Sequence, residues 1–109
     1  MNKSEYLKFC EGIEGAVVDQ PFSEDFTSYI ARHRDSRKWF AAVLERQGRT
    51  FVNLKCDPIE SEFLRGVYEG VRPGYHMNKT HWNSVYFESD VPDALFRQLT
   101  MNSFRLTHK

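Results

Sequence analysis

Three stretches of the chain, FTSYIARH (26–33), KWFAAVLER (38–46) and TFVNLKC (50–56), are rich in aromatic and β-branched residues and are separated only by the polar turns RDSR and RQGR. Connections this short join antiparallel neighbours, because a parallel pair needs a crossover of a dozen or more residues. The middle of the chain is therefore predicted to be an antiparallel meander, and helices must lie before and after it. That order describes an α+β domain and excludes an alternating α/β fold.

The flanking segments supply the helices. Tyr6, Phe9, Cys10 and Ile13 sit at i, i+3, i+4 and i+7, one apolar face of a first helix, with Gly12 and Gly15 near its end. AVVDQPF follows as an extended segment that Pro21 keeps off a sheet interior. In CDPIESEF, Asp57 is placed to cap, Pro58 suits the first helical position and Glu60 follows three residues after the cap. Ile59, Phe63, Leu64 and Val67 are the expected buried face of this middle helix, and Gly70 its stop. RPGYHM breaks the chain, SVYFES reads as a further strand, and SDVPDALFRQL caps and opens a last helix with Leu95, Phe96, Leu99 and Leu106 inward.

At 109 residues the chain is one domain, residues 1–109, with one modest core, and 15% aromatic content sets it apart from disordered sequences. No apolar run approaches the ~20 residues of a membrane span, and the N-terminus lacks a signal-peptide stretch, so a cytoplasmic location is expected. Net charge is zero, against a tight nonspecific nucleic-acid binder, yet residues 26–55 carry +5 and residues 71–87 carry +2. A neutral chain can present a basic face if these segments meet. Cys10 and Cys56 have no CxxC spacing and are read as free thiols.

The run RPGYHMNKTHWNSV (72–85) concentrates two His, a Trp, a Tyr and two Asn beside a Pro-Gly turn. His76 and His81 are five apart, off one helical face, and no HExxH or Cys pair accompanies them, so no metal is expected. A Cys56–His81 dyad has no nucleophile elbow or Gly-rich oxyanion nest around it, and no phosphate-loop motif is present. The chain is accordingly read as non-enzymatic, with no catalytic residue and no cofactor. Nucleic-acid binding asks for Lys and Arg toward phosphates, amides toward base edges and aromatic faces for stacking. Arg72, Asn78, Lys79, Trp82 and Asn83 are of those types. The architectural reading of the same run makes Asn78 the cap of one helical turn, Trp82 a core residue and His76 and His81 inward partners of backbone groups.

NLKCDP (53–58), VRPGYHMNKTHWNSV (71–85) and the terminal NSFRL (102–106) together resemble the MmcQ/YjbR family, and the resemblance runs over essentially the whole chain. Pro73, Gly74, Tyr75, His76, Asn78, Lys79, His81, Trp82 and Asn83 match its central motif; Phe104 departs from it, standing where the family has Tyr after Ser103. The resemblance implies a "double wing", CyaY-like α+β fold, an antiparallel sheet backed by N-terminal, middle and C-terminal helices. It also implies DNA binding without enzymatic activity.

On this reading the two hairpin tips are wings that embrace duplex DNA. Arg32, Arg34, Arg37 and Lys38 occupy one tip, and Arg46 and Arg49 the other. Lys55, Arg72 and Lys79 lie centrally, with Asn78 and Asn83 as base or phosphate contacts. Two other readings compete. One is a chaperone-like protein-interaction module that binds a peptide or a second copy through its sheet, marked by an exposed apolar patch of several hundred Å². The other is a metal or small-molecule site formed by His76, His81 and Cys56.

Overall fold

The computed structural model describes residues 1–108. Along the chain come α1 (Lys3–Glu11), β1 (Ala16–Asp19), β2 (Tyr29–His33), β3 (Trp39–Arg46), β4 (Arg49–Lys55), α2 (Pro58–Val67), β5 (Val71–Pro73), β6 (Trp82–Tyr86) and α3 (Asp93–Leu106). The predicted meander forms the centre of one antiparallel sheet of order β1-β2-β3-β4-β6-β5. Gln47 (φ 52°) and Gly48 (φ 76°) make the two-residue turn between β3 and β4, both in the left-handed region that matches the twist of a hairpin. A register shift between Ala31 and Arg32 bends β2 where it leaves β3.

Strand alternation gives the sheet two buried faces. Ala41, Val43, Val52, Leu54, Val71 and Val85 point toward the helices and form the main core with Tyr6, Cys10, Phe96 and Leu99. On that face α1 lies along β1, α3 crosses β3 and β4, and α2 flanks β5. An Asn2–Glu5 capping box starts α1. The Tyr6 hydroxyl reaches Thr100 Oγ1 at 2.8 Å, tying α1 to α3. Burial pushes the Cys10 thiol up to about 12, so it behaves as a small core residue. On the other face, Ile30, Ala42, Phe51, Asn53 and Ser84 are buried although no helix covers them.

Several local expectations change. β2 begins at Tyr29 and not Phe26, because Asp25 draws Thr27 and Ser28 into a turn through their amides and hydroxyls. The Ser28 and Thr27 bonds hold that carboxyl near 2. A short strand, β5, forms where a simple chain break was expected, and β6 starts at Trp82, ahead of Ser84. No side chain caps α3. Its N-cap is Pro92, while Asp90 turns away to accept from the amides of Glu69 and Gly70, both at 2.8 Å.

The largest difference concerns α2. Its start is as expected: Asp57 caps the amides of Ile59 and Glu60. Its orientation is not, because Ile59 (83%), Phe63 (68%) and Val67 (52%) are exposed while Ser61 and Leu64 are buried. Ser61 faces inward as a small residue, and Arg65 on the same side reaches the buried Asn83. At the end of α3, Leu106 is also exposed, at 49%, and Leu95 is only partly buried.

Candidate functional site

The face without helices is closed by the motif loop. Asn53, at the middle of β4, donates from Nδ2 to the Tyr75 carbonyl (2.9 Å) and accepts at Oδ1 from Ser84 Oγ (2.5 Å). Ser84 Oγ in turn accepts from the Tyr75 amide at 2.9 Å. A ring of three hydrogen bonds, buried at Asn53 and Ser84 and part-buried at Tyr75, thus clamps Tyr75 onto the sheet. A second latch comes from α2: Arg65 donates to Asn83 Oδ1 (2.7 Å) and to the carbonyls of Lys79 (2.5 Å) and Trp82 (3.2 Å). Asn78 caps a single turn, its Oδ1 accepting from the Thr80 amide and its carbonyl from the Trp82 amide.

The clamp orders an aromatic and cationic surface. Phe51 supports two tyrosine rings, Tyr75 at 5.9 Å and Tyr86 at 5.0 Å between centroids. The Arg46 guanidinium lies 4.4 Å over the Tyr75 ring and the Arg49 guanidinium 4.4 Å over the Tyr86 ring. Arg46 and Arg49 are directly opposed across the β3–β4 turn. By register, Arg72 beside Ser84 and Lys55 beside Trp82 belong to the same face. His76 extends the aromatic row, its ring 4.0 Å from Tyr75. Stacking on a ring fixes a guanidinium at low entropic cost and leaves its outer plane and its N–H groups available.

Not every residue singled out in the sequence joins this face. Arg34, Arg37 and Lys38 lie in the β2–β3 connection, at the opposite end of β3 from Arg46 and Arg49. Successive turns of a meander alternate ends, and eight residues of strand separate these two by about 25 Å. The tips therefore do not form a facing pair of wings. Arg32 is bound to Asp19 through Nε at 3.2 Å and Nη2 at 3.3 Å, and Arg37 approaches the same carboxylate at 3.7 Å. Asn83 is buried and its amide oxygen is taken by Arg65, so it does not belong to the exposed surface. Asn78 and Lys79 are exposed on the loop.

Of the motif residues read as architectural, Gly74 is buried and Tyr75 and Trp82 are half-buried, while Pro73, His76 and His81 are exposed. His76 stands in the left-handed region, at φ 58°, with its exposed ring 4.0 Å from the half-buried Tyr75 ring. His81 serves the fold through its carbonyl, which accepts from the Cys56 amide at 2.8 Å. The Cys56 thiol is pushed up by burial, away from the thiolate a nucleophile requires. Among the described residues, no three His, Cys, Asp or Glu side chains are grouped to hold a metal, and no helix is long and apolar enough to cross a membrane.

The site also contains residues that sequence reasoning passed over: Asn53, Ser84, Arg65 and Tyr86. A signal existed for the first, since Asn53 is an amide set in the middle of the apolar run FVNLKC and a buried amide demands partners.

Comparison with known proteins agrees with this architecture. The YjbR family model matches residues 12–106. The protein YjbR of Escherichia coli (strain K12) is 34% identical over 105 residues, 96% of this chain and 86% of that protein. YyaQ of Bacillus subtilis (strain 168) is 31% identical over 118 residues, 98% of each chain. Among solved structures, a Pseudomonas syringae protein superposes with a TM-score of 0.88 at 26% identity, covering 98% of this chain and 99% of that one. A Deinococcus radiodurans protein with a DUF419 domain gives 0.83 at 27% identity, covering 97% of this chain and 78% of that one. The family match spans the meander, the clamp and the motif loop alike, and the chain belongs to the YjbR family.

Proposed function

We propose that the chain is a DNA-binding module that acts without catalysis and contacts phosphates through the face built on Phe51. The observation that carries this reading is the pair of guanidiniums, Arg46 and Arg49, held on Tyr75 and Tyr86 at one end of a face that also carries Arg72 and, at the far end of β4, Lys55. A chain of zero net charge gains local attraction for a polyanion by gathering cations on one face. Lys79, exposed on the motif loop, adds a further cation. The test is fluorescence anisotropy with labelled 20-mer DNA, single- and double-stranded, over a range of salt concentrations. Three or four phosphate contacts correspond to a log–log salt slope of roughly −2 to −4. Arg46→Ala/Arg49→Ala is expected to weaken binding about tenfold or more at low salt. A flat salt dependence, or full affinity in the double variant, would refute the reading.

A second reading, a protein-interaction module, draws on a different surface: the stripe of Ile59, Phe63 and Val67 along the outside of α2. Exposed apolar residues at i, i+4 and i+8 are how a helix presents anchors to a groove. If a second copy fills that role, sedimentation velocity at increasing concentration should show a dimer that Phe63→Glu abolishes. A monomer at every concentration would remove self-association from this reading.

A further inference from the structure

We infer that the face built on Phe51 prefers a single strand of nucleic acid to a duplex, reading bases by stacking as well as phosphates by charge. The inference rests on the DNA-binding reading and narrows its ligand.

The geometry of the cations is the first ground. To reach base edges in a duplex, a protein inserts a helix or a two-stranded ribbon into a groove. The β3–β4 hairpin is the basic ribbon nearest this face, but its tip residues are Gln47 and Gly48, which carry no charge. Arg46 and Arg49, which flank that tip, are folded back onto Tyr75 and Tyr86. The other basic turn, at Arg34, Arg37 and Lys38, is at the far end of β3 and cannot grip the same groove from the other side.

The second ground is what the fold-back creates. Two columns, Phe51–Tyr75–Arg46 and Phe51–Tyr86–Arg49, joined edge-on (87°) and tilted (38°) at Phe51, each end in a guanidinium over a tyrosine ring. His76 stands beside the first column, and Trp82 emerges on the same face by register. Unstacked bases pack on aromatic rings and on arginine planes, and every base has such a face to offer. Paired bases in a duplex do not. Stacking also supplies affinity that does not depend on net charge, which suits a chain whose charges balance.

The test compares four ligands by anisotropy at matched salt: a labelled 20-nucleotide oligo(dT), the corresponding 20-base-pair duplex, an abasic strand of the same length, and oligo(rU). The oligo(dT) strand is expected to bind ~10-fold or more tightly than both the duplex and the abasic strand, the gain from one or two stacked bases. Oligo(rU) should bind within a few-fold of oligo(dT), since neither stacking nor phosphate contact requires the 2′-position. Arg46→Lys/Arg49→Lys keeps both charges but removes the planes, and is expected to erase the preference for oligo(dT) over the abasic strand. Its fold is checked by an unchanged melting temperature. A duplex bound as tightly as oligo(dT), or an abasic strand bound equally well, overturns the single-strand inference while leaving DNA binding in place. No binding of any oligonucleotide at tens of micromolar protein and low salt overturns both.

Discussion

Asn53→Ala is expected to destabilise the chain by about 2–4 kcal/mol, far more than its small change in volume suggests. The side chain is fully buried and serves two partners, the Tyr75 carbonyl and the Ser84 hydroxyl. Truncation leaves the Tyr75 carbonyl without its donor and the Ser84 hydroxyl proton without its acceptor, although Ser84 Oγ still accepts from the Tyr75 amide, and an unsatisfied buried group costs roughly 1–3 kcal/mol. For a domain of this size the melting temperature, followed by circular dichroism, should fall by roughly 10–20 °C. Non-additivity is the sharper check. Ser84→Ala alone should also be costly, since it strands the Tyr75 amide and Asn53 Oδ1. The double variant should cost clearly less than the sum of the two, because each removes a bond the other has already broken. A loss under ~1 kcal/mol for Asn53→Ala would mean that the ring of bonds does not hold the loop.

Gly74→Ala should be nearly as damaging, by about 2–3 kcal/mol, and for a different reason. A Cβ at Gly74 would stand 2.8 Å from the Trp82 Cβ and 2.9 Å from the Trp82 carbonyl oxygen. Neither atom is the free end of a flexible side chain, so the two strands of the β5–β6 hairpin must part. The Gly74 amide to Trp82 carbonyl bond, 2.9 Å, lengthens with them. Gly66→Ala is the matched control. It lies inside α2 with nothing within 4 Å of a new Cβ, so the helix should gain up to ~1 kcal/mol from the better helix former. Melting temperatures that move in opposite directions confirm that it is space, not glycine content, that matters. Equal effects would contradict the close contact at Trp82.

The parts of this fold that were legible in the sequence are those decided locally. Short polar turns forced the meander, and Asp57-Pro58 announced the start of α2 whatever lay around it. Orientation was harder. The spacing of Ile59, Phe63 and Val67 shows that α2 has an apolar side, but periodicity cannot tell that Ser61, Leu64 and Arg65 would be the side drawn inward. That outcome depends on acceptors at Lys79, Trp82 and Asn83, distant in sequence, that only the folded chain assembles. The candidate face was legible in its ingredients and not in its grouping. Arg46, Arg49, Arg72 and Lys55 were visible as cations. That Arg46 and Arg49 lie at the opposite end of β3 from Arg34, Arg37 and Lys38 follows from the alternation of turns, which the meander itself already implied. His76 was read as an inward partner of backbone groups where the chain turns; it is exposed, on backbone at φ 58°.

The outermost strands have a consequence for how this chain behaves when crowded. An open sheet invites polymerisation when its last strands offer long rows of unpaired amides and carbonyls to another molecule. Here the borders are β1, four residues long, and β5, three residues long, the latter ending in Pro73, which has no amide hydrogen to give. Neither border can template more than a turn's length of new sheet. The folded chain thereby offers only short stretches of open sheet at its two margins.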